Sequence, residues 1–240
     1  MLHLKRITKK RGKKMEIEKI AHIRTDFPTK FGLPRQSSIV KKLKGEIVFE
    51  PKYRTPDAIR GIEGYSHLWI VWGFSENDRE GFYPTVRPPR LGGNARVGVF
   101  ATRSPFRPNG LGLSLVRLEE VKKAGKNGHT LIVSGVDMVD KTPIYDIKPY
   151  LPNTDYAKDA IGGFADEVFD YSLKVECDKI PSTIDEEKAQ ILLEILAQDP
   201  RPSYIEDGER VYGLVFAEHE IKFKVSDKTL TVISIEKIEK

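Results

Sequence analysis

Between Glu80 and Glu119 the chain carries no acidic residue and no lysine, but six arginines, Arg87, Arg90, Arg96, Arg103, Arg107 and Arg117, set among Gly and Pro. A solvated face normally mixes both signs, so an Arg-only run held by rigid turns points to a preorganised anion site. The planar guanidinium grips carboxylate or phosphate through two bonds, which a lysine point charge cannot do. The plainer reading is edge charges between short strands.

Three further loops could carry chemistry. Phe31-Gly-Leu-Pro-Arg-Gln-Ser-Ser38 offers backbone donors, an amide and hydroxyls together, in a composition also common in ordinary loops. Asp137 to Tyr150 brings Asp140, Asp146, Lys148, Tyr145 and Tyr150 into a short span. Such a cluster can bind a ribose or a cationic amine and accept a proton, or it can be a capped turn with surface ion pairs. Gln198-Asp-Pro-Arg-Pro-Ser-Tyr204 ends a helix or presents Arg201 and Tyr204 to a neighbouring surface. There is no Gly-x-Ser-x-Gly elbow, P-loop lysine, Cys nucleophile beside a His, or Gly-x-Gly-x-x-Gly after an opening strand. These absences point away from hydrolases, kinases and Rossmann enzymes.

The elements that must position these loops read as mainly β. Short runs rich in Ile, Val, Phe and Trp recur between Gly and Pro breaks, the pattern of a barrel or sandwich. Strands are expected at Glu18 to Arg24, Glu46 to Phe49, Leu68 to Phe74, Arg96 to Thr102, Leu113 to Val121 and Thr130 to Val136. A short helix is expected from Thr55 as N-cap, with Pro56 at its first position and Gly64 at its end. His67 to Phe74 is apolar on both faces and predicts a central strand in the core. After Pro152 the composition turns acidic and polar, which predicts a domain boundary between about 155 and 165. The following part predicts a helix over 183–198 with a Thr183/Glu186 capping box, then a meander turning at Asp227-Lys228. The organisation is thus an N-terminal extension over 1–15, a β-barrel over 16–155 and a smaller α+β domain over 165–240.

Charge narrows the partners. The formal net charge is +5, from 40 basic and 35 acidic residues. Lys5, Arg6, Lys9, Lys10, Arg11, Lys13 and Lys14 supply seven of the positive charges, leaving 33 against 35, a net of −2. An RNA-binding surface on the body must therefore be a local patch. The tail is expected to be disordered and to trail along phosphates, unless Met15 is the native start. No apolar core follows its charges and nothing approaches the ~20 apolar residues of a membrane span, so neither signal peptide nor membrane is expected. Cys177 stands alone, which suits a reducing, cytoplasmic setting, and the five histidines lack zinc-ligand spacing, so no metal is expected.

Pro34-Arg-Gln36, Ala58 to Ile70, Val86 to Asn94, Gly98 to Asn109 and Asp146-Ile-Lys-Pro-Tyr150, in that order, resemble the TsaA/TrmO family, and Leu196 to Tyr204 resembles the extra C-terminal domain of its bacterial two-domain members. Lys141 departs from that pattern, where Gly is expected before Thr142-Pro143. The resemblance implies a TsaA-like β-barrel, S-adenosyl-L-methionine-dependent methyltransferase. It would act on the exocyclic nitrogen of threonylcarbamoyladenosine beside the anticodon of tRNA. It also implies a homodimer with the site near the subunit interface.

Carried over by position, cofactor contacts fall on Gln36, Ser37, Ser38, Phe74, Ser75, Arg103, Leu113, Ile144, Tyr145, Asp146 and Ile147. The attacking nitrogen is a poor nucleophile until its proton leaves, which makes Asp146 the leading base, with Tyr145, Asp140 and Lys148 around it. The substrate's carboxylate and flanking phosphates suit Arg87, Arg90, Arg107, Asn109 and Arg201. Phe106 or Tyr150 could stack on a splayed base. Two other readings remain: a non-catalytic RNA-binding barrel that senses S-adenosylmethionine, and a site for a small phosphorylated metabolite.

Overall fold

The computed structural model describes residues 16–76, 82–88, 91, 95–167, 171–201 and 207–239. Arg90, Tyr204 and the basic tail lie outside them. Six antiparallel strands close on themselves: β1 (Ala21–Arg24), β2 (Lys44–Phe49), β3 (His67–Gly73), β6 (Leu111–Gly125), β7 (Gly128–Ser134) and β8 (Pro143–Pro149), in the order β1-β2-β7-β6-β3-β8. β8 completes the ring by pairing with both β3 and β1. Alternation along each strand sends Ala21, Ile23, Ile47, Leu68, Ile70, Val116, Leu131, Val133 and Ile144 inward, where they are fully buried. β4 (Thr85–Val86) and β5 (Val97–Gly98) form a separate two-residue ladder.

Several elements differ from what the sequence predicts. β3 pairs on both sides, but only one of its faces is buried. Leu68, Ile70 and Trp72 point inward, while the Trp69 indole on the outer face donates to Asp155 Oδ2 at 3.0 Å. A closed sheet has one inside, so even an apolar strand must alternate. The strand expected over Arg96 to Thr102 stops at Gly98 and becomes a 3-10 turn, Val99–Ala101. Residues 55–64 form two 3-10 turns, Pro56–Ile59 and Ile62–Gly64, because Gly61 at φ 86° interrupts them, and the Thr55 side chain makes no cap bond. β8 occupies what read as a turn cluster. Prolines at both its ends and an outward Asp146 and Lys148 hid a strand that pairs through its interior. At the Lys141 departure, the lysine itself takes φ 66° and its N–H still reaches Ile23 O at 2.8 Å. The turn therefore survives without glycine, at a cost of about 1 kcal/mol.

Beyond the closed sheet come two single-turn helices, α1 (Pro152–Asp155) and α2 (Phe164–Glu167), then β9 (Lys174–Glu176) and α3 (Glu186–Ala197). β10 (Tyr212–Phe216), β11 (His219–Ser226) and β12 (Thr229–Lys237) follow as the expected meander, and the short β9, not anticipated, adds parallel to β12. The N-cap of α3 is Asp185, which accepts from Lys188 N at 2.8 Å; Thr183 instead bonds His219 Nε2 at 2.8 Å. α3 buries Ile191, Leu192, Ile195 and Leu196. One apolar cluster runs from the closed sheet into this second sheet, with Phe27 and Phe216 rings 5.3 Å apart. No helix among the described residues is long and apolar enough to cross a membrane, and no group of three or more His, Cys, Asp or Glu among them could hold a metal ion.

Candidate active site

Chain entering and leaving one end of the closed sheet walls a cavity of about 600 Å³. The loop after β1 contributes Gln36, the end of β3 contributes Trp72 and then Phe74 and Ser75, and the start of β6 contributes Gly112 and Leu113. Arg103, Phe106 and Arg107 close another side, and Asp137 with Thr142 comes from the turn between β7 and β8. The Trp72 ring meets the Phe74 ring edge-on at 4.4 Å and lies flat over Gly112, where a Cβ would come within 2.3 Å of Trp72 Cε2.

Asp137 is the group that sequence reading passed over. Trp72 Nε1 donates to Ser114 Oγ at 2.8 Å, and Ser114 Oγ donates to Asp137 Oδ1 at 2.6 Å. The Asp137 side chain borders the cavity while protein encloses its carboxylate. Burial pushes its pKa up to about 6, against the pull of the Ser114 hydroxyl, the backbone N–H groups of Ser37 and Asp137, and the more distant Arg103 charge. A carboxylate that titrates near neutrality in a cavity is a mark of a functional site. The only signal in the sequence is a lone acid between Val136 and Met138, both fully buried.

Of the residues expected to hold the cofactor, the structure brings Gln36, Phe74, Ser75, Arg103 and Leu113 to this cavity. Arg103 Nη1 donates to Gln36 Oε1 at 2.6 Å and so orients the amide. Ser37 and Ser38 do not line it. The Ser37 hydroxyl accepts from Leu115 N at 3.2 Å and the Ser38 hydroxyl donates to Leu115 O at 3.0 Å, stapling the loop to β6. Ser38 does this at φ 64°, with its N–H on Gly135 O at 2.8 Å.

Ile144 to Ile147 are placed differently. Ile144 and Ile147 pack into the core. Val71 pairs with Asp146 and Trp72 with Ile144, so Tyr145 is the extra residue of a β-bulge. The bulge sends Tyr145 and Asp146 to the outer face of the sheet, and neither lines the cavity. The Tyr145 ring covers Gly73, where a Cβ would come within 2.8 Å of Tyr145 Cε2. Asp146, its side chain 46% exposed, pairs with Lys148 Nζ at 2.9 Å. Asp140 caps a turn, accepting from Thr25 N at 3.2 Å, and is not on the cavity wall.

Among the residues expected to meet substrate, Phe106 and Arg107 line the cavity. Arg107 Nη1 also donates to Thr102 O at 2.8 Å, bracing its own turn. Asn109 and Arg87 lie outside the wall, both in exposed positions. Arg201 is only 14% exposed and is spent on Asp199, with Nε 2.9 Å from Oδ1. Tyr150 packs against His67 and Trp69, at the opposite end of β3 from Phe74. Beside the cavity, Phe82 and Phe100 stack with centroids 6.1 Å apart while 50% and 71% exposed, and Tyr83 meets Phe106 edge-on at 5.6 Å.

Residues 22–156 match the family model of the tRNA-methyltransferase O N-terminal domain, and residues 168–238 that of the TrmO C-terminal domain. The tRNA (adenine(37)-N6)-methyltransferase of Escherichia coli strain K12 is 41% identical over 230 residues, 92% of this chain and 97% of that protein. A putative S-adenosylmethionine-dependent methyltransferase RcsF of Pseudomonas aeruginosa is 37% identical over 82% of this chain and 87% of that protein. A crystal structure of TrmO superposes with a TM-score of 0.74 at 30% identity, covering 93% of this chain and all of that one.

Proposed function

The chain belongs to the TrmO family of tRNA methyltransferases, and from that premise we propose that the cavity at the end of its closed sheet is where it methylates the N6 of adenosine 37 in tRNA. The cofactor is S-adenosylmethionine. The carrying observation is a cavity whose wall combines the Trp72–Phe74 pair, the Gln36–Arg103 pair and the enclosed Asp137. The sensor reading has no support from the two relatives that match most of this chain, both methyltransferases by name. The closed sheet is a TsaA-like barrel over 16–155, and 165–240 is a smaller α+β domain.

The residues present suit that cofactor. The volume of about 600 Å³ lies within the roughly 300–1,000 Å³ of small-molecule sites. The aromatic pair offers faces and edges for a purine, Asp137 a carboxylate for an ammonium, and Arg103 a guanidinium for a carboxylate. When bound, S-adenosylmethionine supplies an electrophilic methyl on a sulfonium. The protein's share is alignment and exclusion of water, and needs neither metal nor covalent nucleophile.

The acid-free arginine stretch is the tRNA landing surface. Stacked Phe82 and Phe100 offer a splayed anticodon-loop base an aromatic face, as single-stranded RNA recognition requires. Phe106, which lines the cavity with Arg107, meets Tyr83, the chain neighbour of Phe82. Arg107 and Arg87 meet the substrate's carboxylate and phosphates, and the preferred substrate is the threonylcarbamoyl-modified adenosine.

Its exocyclic nitrogen must lose a proton during transfer. Asp146 and Tyr145 lie on the outer face and do not line the cavity of their own chain; a homodimer would let them serve the site of the second copy, as the family resemblance implies. The test is to incubate purified protein with methyl-labelled S-adenosylmethionine and tRNA carrying or lacking the threonylcarbamoyl group, then resolve the nucleosides. Label in N6-methylated modified adenosine is expected; no labelled nucleoside from either tRNA would defeat the reading.

A further inference from the structure

The loop over 30–38 is a partition. Pro34 and Arg35 line the large cavity on one side and a second cavity of about 270 Å³ on the other. The far wall of the second cavity is the end of α3, with Ile195, Asp199 and Pro200. β10 presses on the same loop: Gly32 sits at φ 87°, and a Cβ there would come within 2.9 Å of Leu214 Cδ2.

At the end of α3 the chain turns through Asp199, which is buried and held at φ 53°. Its carboxylate accepts from the Tyr171 hydroxyl at 2.9 Å and from Arg201 Nε at 2.9 Å. This fixes a turn whose carbonyls face the loop, and Arg35 Nη2 donates to Asp199 O at 3.1 Å and to Arg201 O at 3.4 Å. A guanidinium beside the C-terminal end of a helix is also favoured by the helix dipole. Immediately after Arg35 come Gln36, tied to Arg103 at 2.6 Å, and Ser37, whose backbone N–H reaches Asp137.

We infer that the C-terminal half of the chain positions the cofactor loop: the Asp199 turn is a socket, and Arg35, seated in it, is the positioning residue that holds Gln36 and Ser37 in register with Arg103 and Asp137. This gives the second sheet and α3 a part in cofactor binding although they contribute no residue to the wall of the large cavity. The inference rests on reading that cavity as the S-adenosylmethionine site.

The test uses the full-length protein. Arg35→Met keeps the apolar stem and removes the guanidinium, and Arg35→Lys restores the charge without the fork. S-adenosylmethionine Kd is measured by calorimetry, KM and kcat for tRNA by methyl transfer, and folding by urea unfolding. Arg35→Met is expected to weaken S-adenosylmethionine about tenfold, the worth of hydrogen bonds from a charged donor. KM for tRNA stays unchanged, and Arg35→Lys recovers part of the loss. Asp199→Asn, which tolerates the left-handed turn but loosens Arg201, is expected to weaken the cofactor roughly two- to fivefold. An unchanged Kd in folded Arg35→Met overturns the inference. So does a rise in KM for tRNA with cofactor affinity intact, and so does an Asp199→Asn protein that loses stability without losing affinity. A parent protein that binds no S-adenosylmethionine overturns the cavity reading itself, a failure distinguishable from the others because it precedes any substitution.

Discussion

Asp137→Asn separates the energetic cost of a buried charge from the use the protein makes of it. Folding raises this carboxyl from 3.8 to about 6, so the folded chain holds the proton more tightly than the unfolded chain. The contribution to stability is fully present below pH 3.8 and is lost as pH rises through about 6. The total corresponds to about 3 kcal/mol, and about 1.4 kcal/mol of it falls between pH 5 and 7.5. Asparagine keeps an acceptor for the Ser114 hydroxyl but cannot ionise, and its poorer match to the Ser37 N–H costs the same at every pH. Urea unfolding of both proteins without ligand, at pH 5 and at pH 7.5, gives the comparison. The parent should lose about 1.4 kcal/mol relative to Asp137→Asn over that interval. Parallel pH dependences, with a constant difference between the two proteins, would refute the claim that burial raises this carboxyl.

Three other substitutions bear on separate parts of the site. Gly112→Ala places a Cβ within 2.3 Å of Trp72 Cε2; it should destabilise the protein by roughly 1–3 kcal/mol and weaken S-adenosylmethionine, as read by urea unfolding and calorimetry. Phe100→Ala removes a ring that is 71% exposed, so stability and cofactor Kd should hold while KM for tRNA rises about tenfold, the worth of one base stack. A KM within twofold of the parent would remove Phe100 from the landing surface. Asp137→Asn and Asp146→Asn proteins, each weak alone, should recover roughly a quarter of parental activity when unfolded and refolded together, because about half of the refolded dimers are mixed and each mixed dimer carries one intact site of its two. No recovery would place Asp146 outside the partner's site.

Most of what sequence could reveal here was carried by apolar runs and turn chemistry. β3, β7 and the meander stood out because uninterrupted apolar or alternating segments were bounded by Gly, Pro or Asp, and the Asp227 turn, at φ 51°, has the residue type that conformation favours. β8 escaped notice because its two prolines mark its ends, and its outer residues are polar or bulged. The site was half legible for a related reason. Gln36, Phe74, Arg103, Phe106 and Arg107 sit in loops whose composition is itself unusual, and the structure gathers them around one cavity. Asp137 and Ser114 are single polar residues inside apolar strings, and their importance depends on a contact between β6 and the turn after β7 that no local pattern announces. Arg201 shows the converse. It reads as an exposed arginine after a helix, but the left-handed turn at Asp199 folds it back into an ion pair.

A crystal structure with S-adenosylhomocysteine bound tests the central claim most directly. The account predicts the ligand inside the cavity between the Trp72–Phe74 pair and Arg103, with its ammonium within hydrogen-bond reach of Asp137. A ligand seated on the outer face against Tyr145 and Asp146 of its own chain, with that cavity empty, would contradict it.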